Sequence, residues 1–291
     1  CIEVIMKKFN DLRVNKKKEV PICFLILHYT EINFTKNAVE SILALKDFND
    51  SQIVIVDNAS PDGSGKILKK FYSYKDNIHV LLSSENKGFS EGNNYGFSYI
   101  KKNFDVHFII SMNNDVMILQ QEFITNLFLL YKEQSFWVAG PDIYIPDRDY
   151  HSSPLRVLNN HFLTGEDTLK DIEEFKRCKC KFEKTFSIYG YKYFIKDYLR
   201  ENKILHNLFR LKRKIFGYSK KYQIRSDNVL IQGACIIFDK RYCDNNTQLF
   251  TPLTFMYSEE EILTLKYLKK GWNIIYFPEL QVLHYSEACL Q

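Results

Sequence analysis

Long hydrophobic runs are missing from this chain of 291 residues. The longest apolar stretches, Pro21 to Leu27 and Phe108 to Met112, fall well short of the roughly 18 residues a membrane-spanning helix needs, so no such helix is expected. The first twenty residues, CIEVIMKKFNDLRVNKKKEV, also lack the charged, then apolar, then small-residue order of a secretory signal. We read them as a basic N-terminal extension over residues 1–20 and expect a cytoplasmic protein. The seven cysteines are an odd number, and the one close pair, Cys178 and Cys180, lacks the C-x-x-C spacing of zinc or redox sites. A reducing compartment follows, with Cys23 and Cys235 as small residues of a core. Glycine is missing from the turn after the first apolar run, HYTEIN. That removes the main support for a dinucleotide-binding dehydrogenase, whose backbone amides must approach a pyrophosphate there. It also removes the phosphate loop a nucleotidyltransferase would use. No internal repeat or low-complexity tract is visible.

What is present is enough to fold. A hydrophobic content of 45% supports one large α/β domain or a domain with an appended subdomain. The net charge of +5 is mild but uneven. Between Lys192 and Lys221, ten lysines and arginines face only Asp197 and Glu201, which leaves the rest of the chain net negative.

Residues Pro21 to Asp115 alternate strand and helix signals. ICFLILHY, QIVIVD, NIHVLLS and VHFIISM have strand length and apolarity. Helical spacing follows at Ile32 to Leu45, Lys66 to Tyr74 and Tyr95 to Lys102, with NKGFSEGNN expected as a loop. Strands this apolar imply a mostly parallel, Rossmann-like sheet with helices on both faces, which binds ligands beyond the carboxyl ends of its strands. The polar residues gather at those ends: His28 and Tyr29, Asp57 and Asn58, Asn86 to Asn94, and Asn113 to Asp115. Residues 142–227 are charged, aromatic and irregular, with helical signals at Asp171 to Phe182 and Tyr193 to Phe216. A strand GACIIFD, an acidic helix, a strand NIIYF and the fragment QVLHYSEA close the chain.

The acidic helix start, FMYSEEEILTLKYLKKGW, has a plain structural explanation. Ser258 can cap the first turn with Glu261 in capping-box position, acids suit the positive helix end, and Gly271 suits a left-handed C-cap. The cluster elsewhere gives it a second meaning. An acid at the end of strand four, in Asn114-Asp115, is where a divalent metal could be held against a diphosphate.

Taken in order, HYTEIN, IVIVDNASPDGS, NKGFSEGNNYG, MNNDV, QGACIIFDK, FMYSEEEILTLKYLKKGW and VLHYS resemble glycosyltransferase family 2, in particular its bacterial rhamnosyltransferase-like and galactofuranosyltransferase-like members. The resemblance runs from about Ile22 to Glu287 and is weakest over 142–227. It implies a single GT-A type α/β domain over 21–291, with a nucleotide-binding half at 21–115, a variable helical basic insert at 142–227 and an acceptor and catalytic half at 228–291. It implies an inverting, metal-dependent transfer from a nucleotide-diphosphate sugar, dTDP-rhamnose or a UDP-sugar, to a glycan in capsule or O-antigen synthesis. By the same resemblance Tyr29 and Asp57 contact the nucleobase, and Asn86, Gly88, Phe89 and Asn94 lie near the nucleotide and sugar. Asn113-Asn114-Asp115 stands where the family has its D-x-D signature. Asp115 is then a ligand of Mg²⁺ or Mn²⁺, Asn114 lies near the ribose, and Asn113 removes one carboxylate. Gln232, Gly233 and Ala234 line donor and acceptor, beside Glu259. Glu260 maps to the base and His284 to a second metal ligand. The family usually has aspartate at the base position, and a register with Glu259 or Glu261 as base stays open.

Each of these residues has a plainer reading. Asp57 can cap a turn, Asp115 can be a solvated turn residue, a lone His284 on a strand can be structural, and Gly88, Gly92 and Gly96 can serve tight turns. The basic stretch can be the solvated side of a packed helix, or it can meet the anionic inner face of the cell membrane and a lipid-linked acceptor. No nucleic-acid recognition motif accompanies it. Two alternatives stand beside the main reading: a catalytically impaired nucleotide-sugar-binding or membrane-surface module, and a nucleotidyltransferase.

Overall fold

The computed structural model describes residues 17–158, 222–251, 255 and 259–285. The expected helices between Asp171 and Phe216, the basic stretch and the Ser258 cap lie outside them.

Four parallel strands carry the first half: β1 (Lys18–His28), β2 (Gln52–Asp57), β3 (Ile78–Leu82) and β4 (Phe104–Asn113). Between them run α1 (Ile32–Leu43), α2 (Ser64–Phe71) and α3 (Gly88–Asn103). Then come β5 (Val116–Met117), α4 (Phe123–Glu133), β6 (Val138–Ile145), β7 (Tyr150–His151) and β8 (Arg156–Val157). The chain resumes with β9 (Ser226–Asp227), β10 (Val229–Leu230), β11 (Cys235–Asp239), α5 (Lys240–Asn245), α6 (Glu259–Lys270) and β12 (Ile274–His284).

Ten strands form one mixed sheet, whose main path is β3-β2-β1-β4-β11-β6-β12-β5. Strand β11 runs antiparallel to both β4 and β6, while β6 and β12 are parallel. Successive side chains of a strand point to opposite faces, and here both faces are buried. Ile53 and Ile55 of β2 and Ile110 of β4 pack with Val39 and Ile42 of α1, Leu68 of α2 and Leu127 of α4. Val54 and Val56 of β2 and Ile109 of β4 pack with Phe97 and Ile100 of α3, Tyr242 of α5 and Leu263 and Tyr267 of α6. Two apolar layers explain why the strand sequences read as continuous hydrophobic runs instead of alternating.

Three elements differ from the sequence expectation. Strand β1 begins at Lys18 and takes in the end of the supposed extension. The stretch Asn86 to Asn94 is a loop only as far as Lys87, because α3 starts at Gly88. Glycine and asparagine are poor helix formers, but here tertiary packing wins. A Cβ at Gly92 would sit 2.6 Å from Leu27 Cδ1, and one at Gly96 would sit 2.3 Å from Leu25 Cδ1 and 2.8 Å from Val56 Cγ2. The glycines let the helix lie directly on the sheet. Finally, residues Ile274 to Phe277 of the expected strand and Gln281 to His284 of the fragment belong to one strand, β12, whose pairing with β6 shifts register between Phe277 and Gln281, around Pro278. Both α4 and β6 escaped the sequence reading. The acidic helix behaves as expected at its end, where Gly271 has φ +67°.

Candidate functional site

The site residues come from the carboxyl ends of β1, β2 and β4, joined by the β10–β11 connection, the start of α6 and the end of β12. On the nucleotide side the loops are tied by side chains. Asp57, buried at the end of β2, accepts hydrogen bonds through Oδ1 from Ser60 N (3.1 Å) and Ser60 Oγ (2.5 Å). Ser60 Oγ in turn accepts from Thr30 N at 2.9 Å. Thr30 and Glu31 both hold positive φ, 55° and 45°, a conformation that costs energy for residues other than glycine and survives only where neighbours impose it. Asp57 therefore does what a turn-capping carboxylate does, and its other oxygen faces Gly65, where an added Cβ would lie 2.0 Å away. Tyr29 beside it stays 44% exposed, which suits a ring that stacks on an incoming base.

Asn58 bridges the same strand end to the α3 loop. Its amide donates to Asn86 Oδ1 (2.9 Å) and Gly88 O (3.1 Å), and its oxygen accepts from Lys87 N (3.1 Å). Asn86 Oδ1 also accepts from Gly88 N at 2.9 Å. Gly88 has φ +75°, and a Cβ there would meet Phe255 O at 2.1 Å. This close approach lets Phe89 N donate to Phe255 O at 2.7 Å. Two of the expected donor-site residues also make contacts inside the protein. Phe89 packs on Phe250, with ring centroids 5.1 Å apart. Asn94, buried in α3, accepts from Leu249 N (2.8 Å) and Phe250 N (3.1 Å) and donates to Phe250 O (2.9 Å). These bonds tether the segment ahead of α6, because the helical register of α3 turns the amide inward.

On the other side, Asp115 is 1% exposed and His284 8% exposed. The β5–β12 pairing puts them together, with His284 opposite Val116 and Tyr285 N donating to Asp115 O at 3.0 Å. His284 Nε2 lies 3.2 Å from Asp115 Oδ1, outside hydrogen-bond geometry. Among the described residues neither Asp115 oxygen has a hydrogen-bond partner, and neither has His284 Nδ1. A buried carboxylate left in this state is costly unless a ligand completes it. Among the described residues no three His, Cys, Asp or Glu side chains converge as a metal cage. One carboxylate and one imidazole do fit a hard-to-borderline cation that takes its remaining ligands from phosphate and water. Asn113 adds no carboxylate, but its N–H donates to Ala234 O at 2.9 Å and so joins the D-x-D position to the Gln232-Gly233-Ala234 turn. Gln232 Oε1 accepts from Ala234 N at 3.1 Å and closes that turn.

The three consecutive glutamates have three different surroundings. Glu261 is exposed. Glu259 is buried, with Oε1 unpartnered among the described residues. Glu260 is half-buried, and its Oε1 accepts from Gly233 N at 2.9 Å. A Cβ on Gly233 would lie 2.4 Å from that oxygen, so only glycine admits this contact. Burial is the main cause pushing the Glu260 carboxyl above the usual carboxylate range, and Glu261 and Glu259 add to it. The hydrogen bond from Gly233 acts the other way. Desolvation that exceeds compensation is how a glutamate becomes a better base near neutral pH.

The structure thus brings Asn113, Asp115, Gln232, Gly233, Ala234, Glu260 and His284 into one connected cluster. Tyr29, Asp57, Asn86 and Asn114 sit at the neighbouring strand ends. Asn58 is the residue whose work was missed. It stood among the strand-end polar residues, yet a side chain that bonds backbone 30 positions away leaves no local signal.

Comparisons with known proteins bear on the family and the fold. The family model for glycosyl transferase family 2 matches residues 23–225. The chain is 26% identical over 134 residues to the low-salt glycan biosynthesis hexosyltransferase Agl10 of Haloferax volcanii, covering 46% of this chain and 40% of that protein. It is 26% identical over 220 residues to the minor teichoic acid biosynthesis protein GgaB of Bacillus subtilis, covering 72% of this chain and 23% of that protein. The chain therefore spans less than half the length of either relative. Among solved structures, the mannosyltransferase PcManGT of Pyrobaculum calidifontis, in complex with GDP-Man and Mn²⁺, superposes with a TM-score of 0.55 at 10% identity, covering 98% of this chain and 65% of that one. The fold is that of the GT-A glycosyltransferases.

Proposed function

The chain belongs to glycosyl transferase family 2, and from that premise we propose that it is an inverting, metal-dependent glycosyltransferase. It moves a sugar from a nucleotide-diphosphate sugar to a glycan acceptor of a cell-surface polysaccharide. The observation that carries the reading is Glu260: a half-buried carboxylate with raised proton affinity, aimed by Gly233 N–H from the first turn of a helix. An inverting transfer needs such a group to take the acceptor hydroxyl's proton as that oxygen attacks the anomeric carbon. Glu260 is the base. Glu261 is too exposed for this work, and Glu259 is buried with no hydrogen bond to aim its Oε1 among the described residues.

Asp115 and His284 are the residues that would hold Mg²⁺ or Mn²⁺, and their unpartnered atoms support that role. Bound there, the cation supplies charge neutralisation for the leaving diphosphate. Tyr29 and the loops fixed by Asp57, Asn58 and Asn86 take the nucleoside, with Gln232, Gly233 and Ala234 between donor and acceptor. The sequence resemblance favours dTDP-rhamnose or a UDP-sugar. The glycan-biosynthesis relatives support a polymer as the acceptor.

The test is a panel of nucleotide sugars with Mn²⁺, read as nucleotide diphosphate release, with Glu260→Gln and Asp115→Ala beside the wild type. Full activity in Glu260→Gln would sink the base assignment. Release unchanged by a chelator would sink the metal dependence. Among the described residues no helix is long and apolar enough to cross a membrane. Our reading includes a lipid-linked acceptor at the cytoplasmic face, met by the basic stretch from Lys192 to Lys221. Protein that ignores anionic liposomes at low salt refutes that part.

A further inference from the structure

A chain of five side chains runs under the nucleotide side of the cleft. Asp62, in the exposed loop after β2, accepts through Oδ1 from Ser64 N (3.0 Å) and Ser64 Oγ (2.5 Å). Ser64 Oγ lies 2.8 Å from His28 Nε2. His28 Nδ1 lies 2.6 Å from Thr35 Oγ1, and Thr35 Oγ1 accepts from Asn114 Nδ2 at 3.2 Å. His28 and Thr35 are fully buried, and Ser64 nearly so. The chain thus ties the loop after β2 to the middle of the Asn113-Asn114-Asp115 motif.

Proton counting gives this chain a direction. A hydroxyl has a single proton to donate, and an ionised carboxylate has none. Asp62 is held ionised by its Ser64 hydrogen bonds, so the Ser64 proton goes to Asp62. The Ser64 oxygen can then only accept from His28, and Nε2 must be the protonated ring nitrogen. Burial outweighs the acids nearby, Asp57 and Asp62, and keeps the ring neutral. Nδ1 is therefore a lone pair that takes the Thr35 proton. With that proton used, Thr35 can only accept, and Asn114 must turn its NH₂ inward. The ambiguity of an amide's two ends is removed by the neighbours. The end left for a ligand is the carbonyl oxygen, Oδ1, which makes no hydrogen bond among the described residues.

We propose that Ser64, His28 and Thr35 are positioning residues that present Asn114 to the nucleotide as a hydrogen-bond acceptor, matched to a ribose hydroxyl. The inference rests on the nucleotide-sugar reading of this site. It adds which atom of Asn114 meets the ligand and what holds it there. It also gives a reason for an amide at position 114, since a carboxylate would have no proton to offer Thr35.

Two measurements test it. Imidazole ¹⁵N spectra of histidine-labelled protein at neutral pH should contain an Nε2–H tautomer whose resonances move in Thr35→Val. UDP, with dTDP in parallel, titrated calorimetrically should bind Thr35→Val about five- to tenfold more weakly, the worth of one oriented hydrogen bond. Thr35→Ser, which keeps the hydroxyl, should restore binding. A cationic or Nδ1–H ring as the species that responds to Thr35→Val overturns the proposal, and so does wild-type affinity in that variant. Wild-type protein that binds neither nucleotide overturns the donor reading along with it. Wild type that binds while Thr35→Val binds equally well overturns this proposal alone.

Discussion

At the ends of β1 and β2 the buried polar side chains find partners in one another or in the backbone. Asp57 holds Ser60, Asn58 holds Asn86, Lys87 and Gly88, and His28 has a hydroxyl on each ring nitrogen. At the start of α6 and the ends of β4 and β12 the opposite holds. Asp115, Glu259 and His284 are buried with unpartnered polar atoms among the described residues. The first region spends its hydrogen bonds on holding shape. The second keeps polar capacity in reserve at a cost in stability, which is the expected arrangement where a ligand completes the coordination.

The sharpest way to break this comparison is Glu260→Gln. On the proposed base role, this change should lower turnover by about 100- to 10,000-fold in the nucleotide-release assay. Stability should move the other way. A carboxyl whose folded pKa is raised favours the folded state most at acidic pH, and that contribution is lost as pH rises through the folded pKa. Glutamine, which never ionises, should therefore raise Tm at neutral pH, with the gain vanishing in acid. Wild-type activity should fall on the acid side at a higher pH than an ordinary carboxylate would give. An unchanged or lowered Tm would show that the second region is not under strain.

Asp115→Asn should come next, weakening Mn²⁺ binding, measured by calorimetry with UDP present, by at least about 10- to 100-fold. Equal Mn²⁺ affinity in the variant would end the assignment. Gly233→Ala probes the contact between the turn before β11 and the start of α6. Its Cβ would sit 2.4 Å from Glu260 Oε1, so the carboxylate must shift, and a displacement of that order should cost up to about 100-fold in kcat. Urea melts should show little change beside that loss. The smallest effect belongs to the partnered region: Asn58→Ala removes three hydrogen bonds, two of them to backbone, and should cost about 1–3 kcal/mol in urea unfolding. It should also weaken donor binding without altering the acid limb of the pH profile.

Much of the fold was legible because the core strands carry their own signal. Runs such as QIVIVD and ICFLILHY could be nothing but doubly covered strands once helical periods appeared between them. The strand-end placement of Asp57 and Asp115 was legible for the same reason, since Asp57 closes one such run and Asp115 lies just beyond another. The start of α3 was not, because the sequence Gly-Phe-Ser-Glu-Gly-Asn-Asn looks like a loop to any local measure. Only contact with Leu25, Leu27 and Val56 explains why it is helical. The inward bonds of Asn94 were illegible for the same reason, since a loop asparagine and an inward helix asparagine are identical in sequence.

Among the three glutamates the sequence determined only that a helix begins there, because capping and dipole preferences act within one turn. Which of them is buried, which is exposed and which meets Gly233 depends on how α6 lies against the turn before β11, a segment 27 residues away. The same division holds for the whole site. The sequence by itself determined the class of fold and the kinds of side chain at its strand ends, through periodicities that operate over a few residues. The tertiary structure decided which atoms of those side chains are already satisfied and which remain for a ligand, because that depends on partners brought together from distant parts of the chain.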